Sequence, residues 1–245
     1  MASLDYSETH LVRDTRKTRF LSYNAAIGIL ITMTLLVLSL GIFREWFVAH
    51  YGVETIFQDM RHIALDEEMC LGAWYSSMMM LASAGMLLLI SRLAARSKHG
   101  DVGYWSLLAL LFVGMSLDET TSVHEVFLEP IREALDVSGP LYFAWVVPAL
   151  VMVPLFGLAY LGFLRRLPRP YGMWLTVSGA IFVAGALGME MVGGVTFLAY
   201  GEHGLPYIVS FIIEESLETI GMTSFVIALA SYLRHTYKLD LSFHA

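Results

Sequence analysis

The chain has 245 residues, of which 57% are hydrophobic and only 15% charged, and its mean hydropathy is +0.64. That composition excludes an ordinary soluble domain and describes a polytopic membrane protein. A net charge of −7, with no basic stripe, P-loop or GxGxxG, argues against nucleic acid as a partner, and a single cysteine, Cys70, excludes an internal disulfide.

In chain order, the basic stretch RDTRKTRF comes first and resembles the charged start of a signal peptide. The apolar run behind it is too long for a cleaved core and is followed by no A-x-A-like site, so it is expected to stay as a helix over 25–43. Five further apolar segments approach the ~20 residues that a spanning helix needs. They cover 69–93, 104–128, 141–164, 174–200 and 205–233. The connections are short, which predicts one all-α integral membrane domain over 1–245 with six transmembrane helices. Residues 1–22 are expected to be a cytoplasmic N-terminal segment and 234–245 a cytoplasmic tail. Pro148 and Pro154 predict a kink in the fourth helix, and Met78–Met80 reads as flexible packing rather than a copper site.

Basic residues set the expected orientation. Arg13, Arg16, Lys17 and Arg19 precede the first span, and Arg92, Arg96 and Lys98 separate the second from the third. Arg165, Arg166 and Arg169 separate the fourth from the fifth, and Arg234 and Lys238 follow the sixth. Six spans put all of these on one side, which the positive-inside rule makes cytoplasmic, with both termini inside. A bacterial cytoplasmic (inner) membrane is the expected location.

The informative residues are acids inside the spans. The third span runs without a glycine turn or a proline into SLDETTSVHE, which carries Asp118, Glu119, His124 and Glu125. The second opens with RHIALDEEMC, bringing His62 and Asp66 four residues apart, with Glu67 and Glu68 reading as acids at a helix start. The fifth places Glu190 in GMEMVGG, and the sixth carries Glu214, Glu215 and Glu218 in EESLE. The predicted topology gathers these in the outer-leaflet half, between helices 2, 3, 5 and 6, whereas helices 1 and 4 supply no acid within their apolar cores. At ~100° per residue, Asp118, Thr121, His124 and Glu125 share one face and Glu119 points away from it.

A buried acid costs ~2.5–3.5 kcal/mol on insertion scales, so several together need protons or a cation. The apolar parts of the spans contain no lysine or arginine to neutralise them; Arg61 and Arg132 are the nearest. Carboxylate and imidazole donors suit a divalent transition metal such as iron, manganese or zinc. The expected ligands are Asp118, His124, Glu125, Glu190, Glu214, Glu215 and Glu218, with His62 and Asp66 as additions. Glu125 and Glu218 are the carboxylates expected to move protons in catalysis. No strict Glu-x-x-His occurs, so the expectation rests on composition and depth rather than on a motif.

LDETTSVHE together with EESLETIG resembles a pattern of uncharacterised bacterial multi-pass membrane proteins. The resemblance implies that the two segments belong together. The first functional expectation is a membrane-embedded metal-dependent enzyme, an oxidoreductase or hydrolase, acting on a lipid, quinone or other apolar substrate. A proton- or cation-coupled transporter or channel using the same acids is the alternative. A non-catalytic subunit of a larger membrane complex, contacting a membrane-protein partner or a second copy of itself, is the third.

Overall fold

A computed structural model describes residues 22–52, 60–65, 67, 69–97 and 101–239, and every regular element among them is helical. Helix α1 (Tyr23–Tyr51) is opened by the Ser22 side chain, which accepts the Ala25 N–H at 3.2 Å, and is closed by Gly52 at φ +87°. After a 3₁₀ turn at Arg61–Ile63 come α2 (Leu71–Arg96) and α3 (Val102–Thr121). Two short helices follow, α4 (Val123–Val126) and α5 (Leu128–Leu135), then a 3₁₀ turn at Gly139–Leu141. Helix α6 (Val146–Arg166) leads into α7 (Arg169–Val183), which continues through a π-helical turn, Ala184–Met189, into α8 (Glu190–Tyr200). Helix α9 (Leu205–Tyr237) ends the bundle.

Six helical stretches are long and apolar enough to cross a membrane: α1, α2, α3, α6, the continuous α7–α8 and α9. Their number agrees with the apolar segments of the sequence, but their boundaries shift, and three of the shifts have a plain consequence. Helix α3 stops at Thr121 rather than running to 128, because Ser122 adopts the left-handed conformation at φ 50°. The fourth span starts at Val146, which leaves Pro148 in the first turn, where a missing N–H breaks no helical bond, and only Pro154 in the interior. Helix α1 runs on to Tyr51, well past residue 43.

The spans alternate in direction, as their end contacts show. At one end Arg166 bonds Asp101, Arg234 stacks on Tyr23, and Tyr171 meets His235. At the other, Leu65 packs with Tyr207 and Phe211, and Phe143 and Phe197 meet beside Tyr207. Helix α9 is the axle: 61% of its most apolar window is buried, against 17% for α6, and it touches α1, α2, α7, α8 and the π turn. Close approach is made by small residues. A Cβ on Gly221 would lie 2.7 Å from the Phe182 backbone nitrogen, and one on Gly185 would lie 2.9 Å from the Glu214 carbonyl oxygen. Hydroxyls join the helices deeper down. Ser77 and Ser116 each donate to the other's carbonyl, at 2.9 and 3.0 Å, while Thr34 Oγ1 meets Tyr75 OH at 2.8 Å and Thr223 Oγ1 at 2.9 Å.

Candidate functional site

Helix α9 carries Glu214 and Glu218 nine and thirteen residues into its length, about 14 and 20 Å below its start. Glu190 opens α8 directly after the π turn. A π turn holds one residue more than an α turn, so it rotates the residues beyond it about the helix axis. Its Gly185 lets the α9 backbone and the Glu218 side chain come close. With the helices this near, the Glu190 and Glu214 carboxyl groups come within interaction distance of each other. The Trp145 indole N–H donates to Glu190 Oε1 at 2.8 Å, closing another side of the same carboxyl group. Glu218 lies within electrostatic reach of both Glu190 and Glu119.

The break at Ser122 organises the histidine. Asp118 accepts the His124 backbone N–H at 2.9 Å through Oδ1 and pairs with His124 Nδ1 at 2.9 Å through Oδ2. Asp118 and His124 therefore meet, but by a turn and not by a shared helix face. The imidazole packs edge-on to Trp145, with ring centroids 5.2 Å apart, so one indole touches both His124 and Glu190. Glu125 is exposed, yet its charge still reaches Glu190.

Two expectations about neighbouring residues are corrected. Glu119, turned away from the Asp118 face, lies seven residues beyond Phe112, which stacks on Phe225 of α9, and is within electrostatic reach of Glu218 and Cys70. Helix α1 does bring an acid: Glu45 is 4% exposed, pairs with Arg44 at 2.9 Å, and accepts the Leu65 N–H at 3.2 Å. Ending the first span at 43 hides this pair. Thr34 of α1 touches Thr223 of α9, and the helices run in opposite directions. Eleven residues further along α1, Glu45 is level with the start of the EESLE segment.

His62 lies exposed on the 3₁₀ turn, and α2 begins only at Leu71, so His62 is not on that helix. Asp66 itself lies outside the described residues, as does Glu68, while Glu67 is bound by Arg61 at 2.6 Å. Cys70 caps α2, its sulfur accepting the Ala73 N–H at 3.3 Å. Burial, joined by the charges of Glu215 and Glu119, pushes its thiol above the ordinary range, against opposing backbone N–H groups of Ala73 and Gly72. Trp145 is a site residue that sequence reasoning misses. Its one usable signal is general: an indole N–H among apolar residues must find an acceptor.

Among the described residues, no three His, Cys, Asp or Glu side chains are arranged to hold a metal ion. The arrangement is instead a chain of paired groups, Asp118–His124 to Trp145 to Glu190–Glu214, with Glu218 and Glu119 alongside. Fold and composition together define an all-helical membrane protein with half-buried carboxyl groups between its helices. Residues 28–233 match the family described as a domain of unknown function, DUF8692, and the chain belongs to that family. Neither curated proteins nor solved structures include a match.

Proposed function

We propose that this is a proton- or cation-coupled membrane carrier in which protons held among Glu190, Glu214 and Glu218 exchange for a cation. The observation that carries the reading is the juxtaposition of the half-buried Glu190 and Glu214 carboxyl groups, with Glu218 within their electrostatic reach. Two ionised carboxylates side by side away from water repel each other, so one of them holds a proton until a cation arrives. A cation entering between them would displace that proton, and Glu119 and Glu218 would add to its attraction. The polar atoms also continue past the acids. Thr219 and Thr223 follow Glu218 on α9, and Thr223 joins the Thr34–Tyr75 hydroxyls about 8 Å deeper. Polar groups beyond the acids favour passage over a one-sided site.

In this reading both termini are cytoplasmic, the membrane is the bacterial inner membrane and the acids occupy its outer-leaflet half. Arg165, Arg166, Arg169 and Arg234 at one end of the bundle support that orientation. A metal-dependent enzyme acting on an apolar substrate through iron, manganese or zinc is the second reading. It draws on His124, an imidazole one ring contact from the Glu190 carboxyl group's indole donor.

Calorimetric titration of the detergent-purified chain with sodium, calcium, manganese and zinc, in buffers of differing ionisation enthalpy, counts protons released per cation. At least one proton per bound cation is expected, with affinity lowered about tenfold or more, ~1.4 kcal/mol, in Glu190→Gln. Proton release that is absent, or unchanged in both Glu190→Gln and Glu214→Gln, sinks the proposal. Iron, manganese or zinc retained through dialysis and lost in His124→Ala would move the assignment to the enzyme.

A further inference from the structure

Beside the acid site, the connection from α3 to α6 builds a place of different character. Helix α5 is strongly amphipathic, and Val126, Phe127 and Leu135 around it are exposed apolar side chains. A short helix of this kind on a membrane-spanning bundle belongs at the boundary of headgroups and acyl chains. Between it and α8 opens a groove of about 510 Å³, lined by Glu125, Glu129, Arg132, Tyr142, Phe143 and Phe197. The Arg132 guanidinium is seated over the Tyr142 ring, 4.6 Å from its centroid, and lies 3.6 Å from Glu129 Oε1. Across the Gly139–Leu141 turn is a second cavity of about 390 Å³ with an almost wholly apolar lining that includes Pro140, Gly188, Val192 and Val195. The turn rides directly on α8 there, since a Cβ on Gly194 would lie 2.7 Å from the Gly139 carbonyl oxygen.

We infer that this groove binds a zwitterionic phospholipid with a primary-ammonium headgroup, its phosphate on Arg132, its ammonium between Glu125 and Glu129, and an acyl chain in the neighbouring apolar cavity. Charge complementarity selects this occupant. The groove presents one guanidinium flanked by two carboxylates, the mirror of a phosphate followed by an ammonium. An anionic headgroup would place a second negative group beside Glu125 and Glu129. A quaternary ammonium has no N–H to donate to them, whereas a primary ammonium has three. Tyr142 holds the guanidinium in place before the lipid arrives, which lowers the ordering cost of binding.

Native mass spectrometry of the delipidated full chain, titrated with phosphatidylethanolamine, phosphatidylcholine and phosphatidylglycerol of identical acyl chains, tests it. Phosphatidylethanolamine should bind about tenfold or more tightly than either competitor. Arg132→Gln should weaken it about tenfold, and Glu129→Gln, at an exposed position, should bring it to parity with phosphatidylcholine. Val195→Trp, which fills the apolar cavity, should weaken all three lipids alike. Equal binding of the three by wild type, or preference for phosphatidylglycerol, overturns the proposal. So does undiminished ethanolamine preference in Glu129→Gln, which remains readable if Arg132→Gln fails to fold.

Discussion

The two halves of the bundle satisfy their polar groups differently. Below the acids and on towards the basic end, buried hydroxyls pair with neutral partners: Ser77 with Ser116, Thr34 with Tyr75 and Thr223, and, nearest that end, Ser91 with Ser106 at 2.7 Å. Around them Leu87, Ile90, Leu229 and Leu233 are wholly buried. Towards the other end, Glu190, Glu214, Glu218 and Glu119 lie within electrostatic reach of one another, and the Trp145 indole donates to Glu190. A hydroxyl both donates and accepts, so hydroxyl pairs close on themselves, whereas carboxylates only accept and remain open to a proton or cation. The first half is built to pack, and the second to bind.

Gly221→Leu attacks the packing half where α9 meets the Phe182 backbone, which cannot retreat as a side chain could. A loss of ~3 kcal/mol, at the upper end of overpacking, is expected as a fall in Tm in detergent. A change within error would show that the helices are not in contact there. The acid half is tested through Cys70. Only the thiolate is alkylated, and its pKa is raised, so modification should be slow at pH 7 and accelerate as pH rises. Glu119→Gln with Glu215→Gln removes two of the charges that raise it and should speed the reaction at fixed pH. An unchanged rate would place those acids away from Cys70. The smallest effect is expected for Ser77→Ala and Ser116→Ala, whose double-mutant cycle should give ~0.6 kcal/mol of coupling. A value several times larger would mean that this half, too, holds a strained or functional network.

Much of this is legible in the chain. Six apolar stretches appear as six spans because ~20 apolar residues have little alternative to crossing a bilayer. Glu190, Glu214 and Glu218 are picked out by topology alone, since antiparallel spans fix which residues share a level. Direction around each helix is not legible in the same way. Glu119 looks averted because it is measured against the Asp118–His124 face of its own helix, whereas Glu218 and Cys70, which lie within its electrostatic reach, come from α9 and the start of α2. Glu45 and Arg44 escape notice because a charged pair reads as the end of a span, although here it is buried against the Leu65 loop.

The sequence by itself determined that the chain has six stretches long and apolar enough to cross a membrane and that carboxylates interrupt them, because both come from transfer free energies summed along the chain. Tertiary structure alone decided which carboxyl groups touch. The π turn before Glu190, the glycine at 185 and the break at Ser122 each rotate or admit a side chain by an amount no apolar pattern encodes. Contact between Glu190 and Glu214 depends on those local departures from a regular helix, which hydropathy does not register.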